Sequence, residues 1–143
     1  MIGRSSGLHG YVSIGDHGKL VLPIRAKLDL QGPVYILHDT RSEDIPAVLE
    51  RGSLDAPGTF IAFNTETLYG LGDVPAGSAD LVTMMQGLHH LPQTALPPFL
   101  DHVRRILRPG GLFVFREHNL DPDVHPNLRP MLDVGRLLRA GWT

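Results

Sequence analysis

The sequence contains no cysteine among its 143 residues. This absence excludes a disulfide framework, a cysteine nucleophile and a cysteine metal site, and it is typical of a cytoplasmic protein. No apolar run approaches the roughly 18 residues that a membrane span needs, and the N-terminus lacks the apolar stretch of a secretion signal. With 42% hydrophobic residues, the composition predicts a globular, cytoplasmic protein without a membrane partner.

An excess of positive charge is also missing. The 13 Lys and Arg residues stand against 15 Asp and Glu residues, and the formal net charge is -2. Because no basic run breaks this balance, the sequence lacks the electrostatic pattern that binds nucleic acid, and a small-molecule partner or substrate is favoured. The length is that of one domain, and we expect residues 1–143 to form it.

Strand-like and helix-like segments alternate along the chain. This alternation predicts an α/β fold, with a parallel sheet covered by helices on both faces. Five apolar runs are predicted as strands, at residues 11–14, 34–37, 59–63, 79–85 and 112–115. The four apolar residues of the fifth strand are all expected in the core.

Apolar residues at helical spacing predict the intervening helices. Leu20, Ile24 and Leu28 indicate a first helix, which Gln31-Gly32-Pro33 is expected to break. The clearest pattern predicts a helix over residues 94–107 that Arg108-Pro109-Gly110-Gly111 terminates. Two more helices are predicted, one behind Ser42 through Ile45, Val48 and Leu49, and a last one through Leu128, Met131, Leu132 and Leu138.

Polar residues follow the predicted strands, where an open parallel sheet binds its ligands. Gly15 and Gly18 lie between a strand and a helix, so the backbone turns sharply there and approaches a ligand closely. Asp39 follows the second strand, where a carboxylate can accept both hydroxyls of an adenosine ribose. Simpler interpretations stay open: an ordinary turn for the glycines, and a turn-capping role for Asp39.

Motifs around the fourth and fifth strands resemble a known family. They are Ala79-Asp80-Leu81-Val82, Gly87-Leu88-His89-His90-Leu91-Pro92, Leu107-Arg108-Pro109-Gly110-Gly111 and Leu112-Phe113-Val114-Phe115. These segments look like the motifs of class I S-adenosylmethionine (SAM)-dependent methyltransferases, and the Leu-Arg-Pro-Gly-Gly turn is the most specific. The resemblance covers residues 11–119 and implies a Rossmann-like sheet of about five strands in the order 3-2-1-4-5.

The resemblance also implies a cofactor and a set of site residues. SAM would be held by residues of the glycine turn and of the strand ends, namely Gly15, Asp16, Gly18, Asp39, Asn64 and Gln86. His90, Glu117 and His118 are candidates for orienting the substrate or accepting its proton. Arg116-Glu117-His118 looks like a variant of small-molecule methyltransferases, including the methyltransferase domain attached to ovothiol-synthesis enzymes. The leading interpretation is therefore an enzyme that transfers a methyl group from SAM to a small molecule.

Two features depart from the family pattern. The first motif, Ser13-Ile14-Gly15-Asp16-His17-Gly18, has few glycines and places the bulky His17 where the methionine end of SAM would lie. We expect weakened SAM affinity from it. No segment supplies the usual sixth and seventh strands, so we expect a C-terminally shortened domain whose strand five is an exposed edge. Such an edge predicts a homodimer or association with another chain, and a non-catalytic methyltransferase-like scaffold is the alternative function.

Two other kinds of site are weighed. A dinucleotide-binding domain shares the strand-turn-helix start and the acidic residue at Asp39, but the chain lacks the full G-x-G-x-x-G pattern. Among the eight histidines, His89, His90 and His118 would be the candidate metal ligands. Adjacent histidines in a strand-to-loop step point apart, so no metal is predicted.

Overall fold

The strands form one parallel sheet in a computed structural model, which describes residues 7–39, 58–85 and 87–116. The five strands are β1 Leu8–Ile14, β2 Leu30–His38, β3 Thr59–Ala62, β4 Ala79–Met85 and β5 Leu107–Arg116. Their order across the sheet is β3-β2-β1-β4-β5. The α/β class and the strand order predicted from the sequence are thus confirmed.

Parallel pairing brings the strand ends together. Every neighbouring pair in this sheet is parallel. Ile14, the last residue of β1, pairs with Leu37 of β2 and with Met84 of β4, and His38 pairs with Ala62 of β3. The carboxyl ends of these four strands therefore meet at one edge of the sheet, the edge at which ligands bind in folds of this kind.

Two α-helices cover opposite faces of the sheet, α1 at Val21–Leu28 and α2 at Leu96–Ile106. Short 3-10 turns lie at Leu71–Asp73, Leu88–His90 and Gln93–Ala95. The buried side chains separate into two clusters: Val12 packs with the α2 side chains, whereas Tyr11 packs with Val21 of α1. Because consecutive strand residues point to opposite faces, one helix lies on each side.

Helix α1 follows the predicted stripe only in part. Leu20 and Ile24 are partly buried and pack against the cluster around Tyr11, as their spacing predicts. Leu28, the last residue of the helix, is 48% exposed although it belongs to the same apolar spacing. The chain leaves the helix at this residue because Asp29 takes a left-handed conformation with φ 50°, and Leu30 then starts β2 directly.

The first helix ends before Gln31-Gly32-Pro33, as predicted, but it ends already at Leu28, and these three residues belong to β2. A bulge accommodates them: His9 pairs with Gln31, but the next pair joins Tyr11 to Val34. Gly32 has φ +78° within this bulge. Pro33, which has no N–H to donate, is tolerated where the regular ladder is interrupted.

Helix α2 ends at Ile106, before the Pro-Gly-Gly segment, and that segment belongs to β5. Helix α2 begins at Leu96, two residues later than predicted, because residues 93–95 form a 3-10 turn first. Leu107 pairs with Ala79 and Leu112 pairs with Leu81, so residues 108–111 form a wide bulge between them. Strand five is therefore longer than predicted, and only its second half is regular.

Strand β5 lies at the edge of the sheet among the described residues. Its side chains alternate: Phe113 and Phe115 pack against the α2 cluster, whereas Leu112 and Val114 are exposed. The prediction that all four belong to the core is wrong for the second pair. The helices predicted behind Ser42 and around Met131 lie outside the described residues.

Candidate active site

A cavity of about 320 Å³ opens at the carboxyl edge of the sheet. Residues that follow β1, β2, β3 and β4 all contribute to its wall. The lining residues are Gly15, His38, Asp39, Phe63, Asn64, Thr65, Met84, Gly87 and His90. The volume lies in the range typical of sites for small molecules and cofactors. The cavity thus brings together four residues predicted from the sequence: Gly15, Asp39, Asn64 and His90.

The glycine turn connects β1 to α1 at the cavity. Gly15 has φ +91°, which side chains rarely adopt, and a Cβ placed on it would meet no atom within 4 Å. It is therefore the backbone conformation that requires glycine, and open space remains beside it for a ligand. The Gly15 N–H donates to the Leu37 carbonyl at 2.8 Å, and the Gly18 carbonyl accepts from Val21 N–H at 3.1 Å.

Asp16 supports this turn from within the fold. Its Oδ1 accepts hydrogen bonds from the Ser13 hydroxyl at 2.5 Å and from the Gly18 N–H at 2.7 Å. Its Oδ2 is buried and has no hydrogen-bond partner among the residues that the structure describes. Asp16 and Gly18 are not among the cavity-lining residues, and their hydrogen bond fixes the shape of the turn beside the cavity.

A second buried polar contact lies on the same face of the sheet. The Tyr11 hydroxyl and the Thr83 hydroxyl are 2.6 Å apart. Burial raises the pKa of Tyr11 to about 12, and the negative charge of Asp16 adds to the shift, while the hydrogen bond with Thr83 opposes it. The phenol is therefore neutral over the physiological range, and it anchors β1 to β4 below the glycine turn.

Asp39 stands at the end of β2, as the sequence predicts. Its side chain is 76% exposed, and its Oδ1 lies 2.8 Å from Nδ1 of His38. The His38 ring in turn packs against the ring of His17, with 3.9 Å between their centroids. Three polar residues from two adjacent strand ends are thus linked beside the cavity.

Asn64 follows β3 and shapes the next loop. Its Oδ1 accepts hydrogen bonds from the N–H groups of Glu66 and Thr67, at 2.8 and 3.0 Å. Its own N–H donates to the Tyr69 carbonyl at 3.2 Å. Because the side-chain oxygen is used within the turn, Nδ2 is the group that Asn64 offers to a ligand.

His90 closes the 3-10 turn that follows β4, and its backbone N–H donates to the Gly87 carbonyl at 3.1 Å. A Cβ on Gly87 would lie 2.7 Å from Cε of Met84, so only glycine fits there without displacing a cavity-lining side chain. The other candidates of this region, Gln86, Glu117 and His118, lie outside the described residues.

Several lining residues were not singled out from the sequence, among them His38, Phe63 and Met84. His38 directly follows a predicted strand, Phe63 ends one and Met84 is the second-to-last residue of one, so the strand-end rule that selected Asp39 and Asn64 also points to this region. Phe63 and Met84 were overlooked because an apolar residue at a strand end is ordinarily assigned to the core. Both are in fact buried in the α2 cluster and also line the cavity.

The composition of this wall suits a nucleoside-bearing cofactor. Phe63 and Met84 supply apolar surface for a base, while Asp39 supplies an exposed carboxylate for hydroxyl groups. The open space beside Gly15 admits the part of a ligand that must approach the backbone. In the described part of the chain, His, Asp and Glu side chains form no group of three suited to a metal ion, and no helix there is long and apolar enough to cross a membrane.

A comparison with protein families identifies the class. The family described as a methyltransferase domain matches residues 15–140. Because the match covers most of the chain, the chain belongs to this methyltransferase domain family. The resemblance inferred from the motifs around strands four and five is thereby confirmed. The narrower similarity to the domain of ovothiol-synthesis enzymes stays a prediction.

Solved structures share the fold at low identity. A SAM-dependent methyltransferase from Mesorhizobium loti is 22% identical with a TM-score of 0.55, covering 79% of this chain and 48% of its own. PigF with SAH is 18% identical with a TM-score of 0.59, covering 91% and 49%. A chain in the complex between the Haloferax volcanii Trm112 methyltransferase activator and a methyltransferase is 20% identical with a TM-score of 0.57, covering 82% and 48%.

This chain therefore spans about half the length of these three proteins. A comparison with curated proteins gave no match. The structural likeness supports the Rossmann-like methyltransferase fold.

Proposed function

We propose that this chain forms the SAM-binding part of a methyltransferase that acts on a small molecule. The observation that carries the proposal is the cavity at the carboxyl edge of the sheet, which gathers Gly15, Asp39, Asn64 and His90. The family match supports the reaction class. The absence of a basic run supports a small substrate over a nucleic acid.

Each cofactor-binding residue has a defined part in this proposal. Asp39 accepts hydrogen bonds from the ribose hydroxyls, and Gly15 lets the cofactor approach the backbone. Asn64 donates from Nδ2, and Gln86 remains a candidate of the same edge. Asp16 and Gly18 act indirectly, by holding the turn in shape.

When bound, SAM supplies the activated methyl group, and the protein supplies position and proton transfer. His90 lines the cavity and is exposed, so it can orient an acceptor or take up the proton that the acceptor carries. Glu117 and His118 share this part of the proposal because they directly follow β5. Methyl transfer to a panel of small-molecule acceptors, measured for a variant of each of the three residues, separates orientation of the acceptor from proton uptake.

Titration with S-adenosylhomocysteine (SAH) tests the cofactor site directly. Asp39→Asn removes the charged acceptor, and we expect it to weaken SAH binding by about tenfold or more. Asp29→Asn is the matched control, because Asp29 is exposed at the opposite end of β2. If isothermal titration shows that the folded wild type does not bind SAH, the proposal is contradicted. A preference for NAD over SAH would favour the dinucleotide-binding alternative.

We further propose that the chain forms a homodimer through the face of β5 that does not pack against α2. Leu112 and Val114 are exposed there, side by side on one face of an edge strand. The Haloferax volcanii relative forms a complex with an activator, so association with a different chain is the other outcome to examine. Light scattering should give a dimer for the wild type and a monomer for Val114→Lys; a monomeric wild type would refute the homodimer.

A further inference from the structure

We propose that His38 is a positioning residue for ligand binding, which orients Asp39 for the ribose and is itself held in place by His17. The proposal rests on the SAM site proposed above and deepens it. It assigns a function to His38, which the sequence motifs do not single out, and a packing role to His17 of the first motif.

The contact between His38 and Asp39 is a hydrogen bond within the cavity wall. Nδ1 of His38 lies 2.8 Å from Oδ1 of Asp39, and both residues line the cavity. A carboxylate only accepts hydrogen bonds, so this distance requires the proton on Nδ1. The bond engages Oδ1 and leaves Oδ2 for a ligand.

Asp39 needs such a restraint because it is otherwise open to solvent. With 76% of its side chain exposed, few packing contacts restrict its rotamers. A side chain that is fixed only on binding loses conformational entropy at that step, which weakens binding. A carboxylate that is already oriented avoids most of this loss, so the hydrogen bond from His38 favours ligand binding through Asp39.

His17 provides the second restraint. Its ring lies 3.9 Å from the His38 ring, centroid to centroid, at an angle of 34°. His17 is only 8% exposed and is not among the cavity-lining residues. His17, which lies in the turn after β1, thus packs against His38 at the end of β2. This ring contact links the ends of the two strands.

Two substitutions separate the hydrogen bond from the ring contact. His38→Phe keeps an aromatic ring and removes the donor, whereas His38→Asn places an amide nitrogen where Nδ1 lay and removes the ring. Each is titrated with SAH and with its 2′,3′-dideoxy analogue, which lacks the ribose hydroxyls. His9→Asn and His9→Phe are matched controls, because His9 is exposed near the start of β1, at the opposite end of that strand. Thermal melting shows that each variant is folded.

We expect His38→Phe to weaken SAH binding by about two- to fivefold and His38→Asn to weaken it less. The dideoxy analogue should bind wild type and His38→Phe equally, since the effect passes through the ribose contact. In an Asp39→Asn background, His38→Phe should cause no further loss. An equal loss for both ligands, or a full further loss in that background, would show that His38 acts by packing alone and would overturn the proposal.

The outcomes also distinguish this proposal from the one on which it rests. If wild type and His38→Phe bind SAH equally well, the cofactor site stands and only the positioning role is overturned. If the folded wild type binds neither ligand, the cofactor site and the positioning role are both overturned.

Discussion

The two faces of the sheet bury different kinds of side chain. On the face covered by α2, the buried residues of the helix are all apolar, and Phe99, Val103 and Ile106 are completely shielded from solvent. On the face covered by α1, only Val21 of the helix is buried. Beneath this helix the sheet buries hydrogen-bonded side chains, and the Tyr11 hydroxyl contacts the Thr83 hydroxyl.

The two faces therefore contribute in different ways, one mainly to the stability of the fold and the other to the structure of the site. Burying one large apolar side chain contributes about 1.5–3 kcal/mol, whereas one hydrogen bond contributes about 0.5–1.5 kcal/mol net. The α2 face therefore carries most of the packing energy of the described residues. The α1 face holds the glycine turn through Asp16, and it contains the Tyr11 phenol, whose pKa is raised to about 12 by burial.

The largest effect is expected from a cavity on the α2 face. Phe99 is completely buried and contacts the edge of the Phe113 ring, with 6.0 Å between centroids. Phe99→Ala should lower the free energy of unfolding by about 3–5 kcal/mol, as measured by denaturant titration. Leu22→Ala, at an exposed position of α1, should change it by no more than about 0.5 kcal/mol. Equal losses would show that the two helices contribute alike.

A smaller effect is expected from the polar face at high pH. The pKa of Tyr11 is about 12 in the folded chain, against an ordinary value of 10.0. Between these values the unfolded chain has lost the proton that the folded chain still holds, so stability falls as the pH rises from 10 to 12. The loss from this group amounts to about 2–3 kcal/mol.

Tyr11→Phe isolates that loss. The variant is less stable at pH 9 because Thr83 loses its partner, but its unfolding free energy should fall less steeply from pH 9 to pH 12 than that of the wild type. The matched control is Tyr35→Phe, because Tyr35 is a partly buried tyrosine on the α2 face. The same slope for Tyr11→Phe and wild type would refute the raised pKa.

The sequence predicts the elements of the α2 face well because packing there follows simple periodicity. Ala79–Met85 is observed with the predicted bounds, and Val103 and Leu100 lie in the core where the helical spacing places them. The errors fall where the backbone departs from regular geometry. Gly32 and Gly110 both have positive φ inside bulges, and a strand that continues through a bulge looks like a break when judged by composition.

The site is only partly accessible to the same reasoning. Strand-end position is enough to select Gly15, Asp39, Asn64 and His90, because topology alone brings these positions to one edge. The contacts of His17 and of Asp16 depend on side-chain directions within one tight turn. No periodicity reports on those directions, so the histidine stack and the Ser13 hydrogen bond were found only in the structure.

The smallest effect is expected from His102, a partly buried residue of α2. The Arg105 guanidinium donates to the carbonyls of Val74 and Leu71, at 2.7 and 3.2 Å, and contacts Nδ1 of His102 at 3.2 Å. Partial burial lowers the pKa of His102 below its ordinary value of 6.5, the positive charge of Arg105 lowers it further, and Asp101 opposes the shift.

A lowered pKa means that the unfolded chain takes up a proton before the folded chain does. The stability that His102 contributes is therefore complete above pH 6.5 and is lost as the pH falls through the lower, folded value. His102→Asn keeps an oxygen acceptor for Arg105 and removes the titration, so unfolding measured from pH 7.5 to pH 5.5 should depend less on pH than in the wild type. Leu22→Ala, at an exposed position of α1, removes no titratable group and should leave the wild-type slope unchanged. If the slope of His102→Asn equals that of the wild type, the pH response belongs to other groups and the α2 face is insensitive to acid.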